Sequence, residues 1–249
     1  MDLIQAVVLG LMQGITEWLP ISSQGNTIIT AIKVFGIPAE TAFSYSVFLH
    51  LGTVIAAGIY FRKEIKEIIE LKEKNLLKFM VIAVLSTAIT GIPIYLFLEQ
   101  LSVSSFYLSV LIGLMLIVTG ILQLKKKQEK KAEENSRNAF FLGLGQGFSV
   151  LPGISRSGTT TSVLLFEGFS PEKAFKLSFL LSVPSVFLAE VLFGLKEGIS
   201  FEPNLILSIL IAFVSGYLSI KYLLGLAKKI NFTYFCIGLG IFYIIISFL

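Results

Sequence analysis

Cysteine, histidine and tryptophan each occur once in these 249 residues, and charged side chains make up only 14% of them. The lone Cys236 has no partner in the chain, which excludes an internal disulfide and a thiolate metal cluster. Scarce charge, set against 55% hydrophobic residues, 22 Phe and a mean hydropathy of +0.84, excludes a single soluble core and makes the bilayer the expected solvent. A cleaved signal peptide is also not expected. The start lacks a basic stretch, and it places Gln13 and Glu17 where an apolar core segment would be needed.

What is abundant is uncharged apolar sequence. The runs 43–61, 79–98, 101–124, 203–220 and 230–249 reach or approach the roughly 20 residues of a spanning helix, and 177–194 adds a sixth with one acid, Glu190, near its end. Basic residues gather in two loops, 62–78 and 125–137, which flank a pair of spans and so fall on one side, expected to be cytoplasmic. If residues 139–166 dip in and return without crossing, every Lys and Arg except Lys33, Lys196 and Arg156 joins that side. Both loops read as solvated helical surface with charges paired at i and i+4, and no nucleic-acid partner is expected.

Residues 9–27, LGLMQGITEWLPISSQGNT, and 142–160, LGLGQGFSVLPGISRSGTT, match at nine of 19 positions with a constant offset of 133. The likeness is that of an internal duplication, and it divides the chain into repeats of about 1–124 and 139–249 joined by a basic loop, 125–138. Each half holds one polar-interrupted segment and three spans, and an odd count turns the second half upside down. The expected fold is therefore an all-α integral membrane domain: six transmembrane helices plus two re-entrant helical hairpins in an inverted-topology repeat. Gly14, Pro20 and Gly25 break the first interrupted segment, and Gly147, Pro152, Gly153 and Gly158 break the second. Such backbone is tolerated at membrane depth only inside protein or beside a wet cavity.

Two charges sit in those breaks, Glu17 and Arg156, and a charge at bilayer depth costs about 2.5–3.5 kcal/mol on insertion scales. One reading makes them a buried ion bridge between the hairpins. Ser22, Ser23, Gln24, Asn26, Ser155, Ser157, Thr159 and Thr160 supply more hydrogen-bonding groups than one bridge can use, which points to an anionic ligand. In PGISRSGTT a guanidinium stands among hydroxyls and glycines at the start of a helix, with Gly158 admitting close backbone approach, an arrangement suited to phosphate. Gln13 and Glu17, at i and i+4, share a helix face. A carboxylate there either holds a divalent cation or moves protons. His50 falls inside a span, as a hydrogen-bonded structural residue or as a relay.

QGITEWLPISSQGN and PGISRSGTT together resemble the undecaprenyl-diphosphate phosphatases of the bacitracin-resistance type, and the duplication, the length and LHLGT extend the likeness over essentially the whole chain. The resemblance implies a multi-pass membrane hydrolase, expected in the plasma membrane, and the charge distribution above puts both termini outside. It implies removal of the terminal phosphate from a polyprenyl diphosphate to regenerate a monophosphate lipid carrier for cell-wall assembly, often by a homodimer. Carried onto this chain, Gln13 and Glu17 bind a divalent ion, expected to be Mg²⁺, or the phosphates. Ser23, Glu17, Arg156 and Asn26 take the catalytic positions, and Ser22, Ser155, Ser157, Gly158, Thr159 and Thr160 surround the substrate. The family's Gly-His pair reads Gly25-Asn26 here. An amide neither accepts a proton near neutral pH nor forms a phospho-enzyme, so Glu17 with metal, or His50, would have to replace that histidine. A polyprenyl-phosphate transporter using the same anion site is the alternative.

Overall fold

The computed structural model describes residues 1–99, 104–124, 132–197 and 202–248, and these form an all-helical integral membrane protein with no strand among them. Among the described residues five helices are long and apolar enough to cross a membrane: α3 (Ala39–Tyr60), α5 (Lys74–Glu99), α6 (Ser105–Leu122), α9 (Pro171–Glu197) and α10 (Pro203–Lys229). The sixth expected span is the shorter α11 (Thr233–Ser247), whose 15 residues fall below that length.

The interrupted segments fold as two pairs of short helices, α1 (Leu3–Thr16) with α2 (Ser23–Lys33), and α7 (Ser136–Gly147) with α8 (Arg156–Glu167). The first begins with a capping box in which Asp2 and Gln5 satisfy each other's backbone amides. Both second members start at the same kind of cap. Ser22 Oγ accepts from the Gly25 amide at 3.3 Å, and Ser155 Oγ accepts from the Gly158 amide at 3.1 Å, two caps that are 133 residues apart.

The repeat governs packing as well. Gly10 and Gly14 of α1 lie so close to α10 that an added Cβ would stand 2.6 Å from the carbonyl oxygens of Ser208 and Ala212. The equivalent Gly143 and Gly147 of α7 press in the same way on the carbonyls of Ala83 and Thr87 in α5. Each short helix is thus clamped, backbone to backbone, by a span of the other half, as small residues permit in lipid. Outward-facing apolar side chains such as Ile89, Leu96, Leu210 and Leu218 are exposed, as a lipid-facing surface requires.

Boundaries differ from the sequence expectation at two places. The basic stretch 62–78 holds a separate helix, α4 (Arg62–Ile69), together with the start of α5, and carries the expected i, i+4 pair between Lys66 and Glu70. In the second basic stretch, α7 begins at Ser136 under an Asn135 cap, inside what reads as linker, while 125–131 lies outside the described residues. Ion pairs gather the charged segments: Lys176 meets Glu64 at 3.1 Å and Lys173 meets Glu134 at 2.8 Å. The amino terminus instead lies 3.3 Å from Glu202, at the start of α10.

Candidate active site

The α1–α2 turn and the α7–α8 turn meet inside the molecule. Glu17 follows α1 directly and Arg156 opens α8, and their side chains join: Arg156 Nη2 donates to Glu17 Oε1 at 2.5 Å. The other carboxylate oxygen accepts from Ser23 Oγ at 2.6 Å and Gln13 Nε2 at 3.0 Å, with His50 Nε2 at 3.4 Å. Glu17 is 8% exposed. At that depth an ion pair is costly unless its remaining lone pairs are met, and here they are.

Arg156 is held from several directions. Its Nη1 donates to the Ser178 carbonyl at 3.3 Å, and the guanidinium lies 5.4 Å from the centroid of the Phe179 ring. Its Nε has no hydrogen-bond partner, so one donor of the fork is spare. Ser155 and Ser157 hydroxyls stand 3.2 Å apart beside it, and Ser157 Oγ reaches the Leu19 carbonyl of the other turn. Thr119 of α6 fixes the α7–α8 turn twice, donating to the Gly153 carbonyl and accepting from the Ser155 amide.

His50 comes into the site from α3. Its Nδ1 is 2.8 Å from the Ser46 carbonyl, an acceptor only, so Nδ1 carries the hydrogen and Nε2 is turned toward Glu17. A sequence offers no direct signal for this approach, since 33 positions separate the two residues and only tertiary packing joins them.

These groups form the polar end of a cavity of about 470 Å³. Glu17, Ser22, Ser23, Gln24, His50, Ser155, Arg156 and Ser157 line that end. The rest is walled largely by apolar side chains of α3, α5 and α9, among them Val47, Leu85, Ile92 and Val186. Its size and its few convergent polar groups suit a ligand with a charged head and a hydrocarbon body.

Not every expected site residue faces the cavity. Gln13 is wholly buried behind Glu17, with Oε1 unpartnered. Thr160 bonds Ser178 Oγ at 2.6 Å and the Arg156 carbonyl at 2.8 Å, bracing the start of α8 against α9. Gly158 is consumed by the cap, and Thr159 is buried outside the lining with its hydroxyl unpartnered. Asn26 also stands outside it. Its Nδ2 donates to the carbonyls of Ile21 and Ser22, and its Oδ1 accepts from the Tyr243 hydroxyl. Asn26 therefore ties the turn to α11, with Gln123 and Cys236 holding the Pro20 carbonyl nearby.

Glu17 as a metal ligand is a poor fit to this geometry, because both of its oxygens already accept from side-chain donors and two of its neighbours are Arg156 and His50. Among the described residues no group of three or more His, Cys, Asp or Glu is placed to hold a metal ion.

The bacitracin resistance protein BacA family model matches residues 6–244, nearly the whole chain, both turns included. This chain belongs to that family. It is 37% identical to an undecaprenyl-diphosphatase of Methanococcoides burtonii over the full length of both chains. It is 39% identical to the one of Methanothrix thermoacetophila, covering 96% of this chain and 95% of the relative, and 37% identical to that of Methanopyrus kandleri over 96% and 94%. Family membership thus spans both halves of the repeat and the cavity between them.

Proposed function

We propose that this protein is a polyprenyl diphosphate phosphatase of the undecaprenyl type, which removes the terminal phosphate and leaves the monophosphate lipid carrier. The observation that carries this reading is the Glu17–Arg156–His50 constellation lining an apolar-walled cavity: head-group chemistry beside hydrocarbon walls. Similarity to undecaprenyl-diphosphatases supports hydrolysis over a transporter.

In the proposed reaction the terminal phosphate sits beside the Arg156 guanidinium and the hydroxyls of Ser23, Ser155 and Ser157. A water attacks phosphorus in line and loses its proton to His50 Nε2, whose Nδ1–H is held by Ser46 and whose charge is met by Glu17. The P–O bond to the bridging oxygen breaks, and its electron pair departs on the prenyl phosphate. Arg156 offsets charge gathering on the equatorial oxygens. Asn26 takes no part in the chemistry. A divalent cation, Mg²⁺ by expectation, belongs to the proposal as counter-charge to the diphosphate, but no step is routed through it.

The wider reading places the protein in the plasma membrane with basic ends cytoplasmic and both termini outside, the two turns entering from opposite faces, and the chain as a homodimer. The Lys176–Glu64 and Lys173–Glu134 pairs support one shared basic end, and the Met1–Glu202 contact supports an opposite one. The reaction is tested by incubating purified protein in detergent with Mg²⁺ and farnesyl or undecaprenyl diphosphate. Stoichiometric release of inorganic phosphate is expected; movement of prenyl phosphate between liposome leaflets without release would overturn the reading.

A further inference from the structure

The cavity holds a second carboxylate that the chemistry above leaves idle. Glu190, in the spanning part of α9, lines the same cavity and is 5% exposed. Among the described residues it has neither a hydrogen bond nor an ion pair, and its Oε2 is fully enclosed. Arg156, which lines the same cavity, is engaged by Glu17, and Lys196, further along α9, lies over the Tyr95 ring at 5.4 Å. A second acceptor is in the same position. Gln146, the repeat equivalent of Gln13, donates through Nε2 to Thr87 Oγ1 and Ser185 Oγ, both at 2.9 Å, while its Oε1 has no partner and its side chain lines the cavity.

An enclosed carboxyl and an enclosed amide oxygen need a donor or a cation, and neither is provided by the chain. A diphosphate entering this cavity adds anionic oxygens, which makes an unpaired acid beside it unfavourable unless positive charge comes between them. Glu17 offers little to an ion, since its oxygens are already committed.

We propose that the cavity has a divalent-cation subsite anchored by Glu190, with Gln146 Oε1 as the further protein oxygen, and that the diphosphate is taken up together with its metal ion. Protein oxygens are too few here to hold the ion alone. This is the pattern in which Mg²⁺ keeps one or two protein ligands and takes the rest from substrate phosphates and water. The ion then sits on the α7–α9 side of the head group, leaving Arg156 and Glu17 to the terminal phosphate. The inference rests on the diphosphate reading above but not on turnover.

The experiment is calorimetric titration of the full-length protein in detergent with farnesyl methylenediphosphonate, a non-hydrolysable probe, with and without Mg²⁺. For the wild type, Mg²⁺ should tighten binding tenfold or more. In Glu190→Gln that enhancement should fall below threefold, while metal-free binding is unchanged or tighter because a repulsive charge is gone. Glu17→Gln should weaken the probe in both conditions and keep the ratio between them. Glu190→Asp, which keeps the charge on a shorter arm, should restore part of the enhancement and guards against a folding artefact in Glu190→Gln. An undiminished Mg²⁺ enhancement in Glu190→Gln, or its loss in Glu17→Gln alone, would overturn the subsite and leave the hydrolase reading intact. A wild type that binds no probe in either condition would overturn both.

Discussion

The two turns of the repeated motif share a serine cap and a glycine-packed first helix but differ in charge. Both second helices start at a serine whose hydroxyl caps the amide three residues on, and both first helices are pressed by two glycines against a span of the other half. On that shared frame the position of Glu17 is Val150 in the second turn, and the position of Arg156 is Ser23 in the first. Each turn alone would bury an unmatched charge. Together they make an acid and a guanidinium that compensate each other at the lining of the cavity. The two turns share a serine cap at an offset of 133 residues, and the fold brings together the opposite charges in which they differ.

The strongest way to break this complementarity is to remove either charge. Arg156→Ala or Glu17→Gln should lower kcat/KM for prenyl diphosphate by about 10²–10³-fold or more, the scale expected for loss of a charge-stabilising group, measured by phosphate release. Arg156→Lys should recover only part of it, since an ammonium cannot reproduce the fork that spans Glu17, Ser178 and the ligand.

A smaller effect is expected one step away from the turns. His50→Gln should lower kcat by about 10²-fold with a lesser change in KM, because a proton acceptor is lost while the walls and Arg156 are kept. Asn26→His sharpens the same point. Since Asn26 faces Tyr243 and the turn carbonyls, restoring the family's histidine there should give no gain in rate and should cost about 1–3 kcal/mol of stability from unmet buried groups, read from thermal unfolding in detergent.

The mildest test compares the caps. Ser22→Ala and Ser155→Ala should each destabilise by about 1 kcal/mol, and to similar extents, if the two turns share one mechanical frame. A much larger loss at Ser22 would point to its φ of 60°, a left-handed conformation that its equivalent Ser155 does not share.

How much of this could be read from the sequence follows from which signals are local. The two breaks and the pairing of Glu17 with Arg156 were legible, because charge and glycine are conspicuous in apolar sequence and the repeat fixes their correspondence. The spans were legible from length. Less so were the ends: α11 is short, α4 stands apart from α5, and α7 starts within a polar stretch where hydrophobic periodicity carries no information. The partner of Asn26 was not legible at all, since Tyr243 lies 217 residues away and reads only as another aromatic in an apolar run. Glu190 was visible as an acid in a span, but that it faces the cavity follows from how α9 sits against α5 and α3.

The most direct test of the paired turns is a double-mutant cycle on phosphate release from farnesyl diphosphate, with wild type, Glu17→Gln, Arg156→Ala and the double variant, each shown by thermal unfolding to be folded. If the two residues act as one unit, the double variant should lose little more than the worse single variant. Losses that multiply, or either single variant hydrolysing at the wild-type rate, would contradict the account.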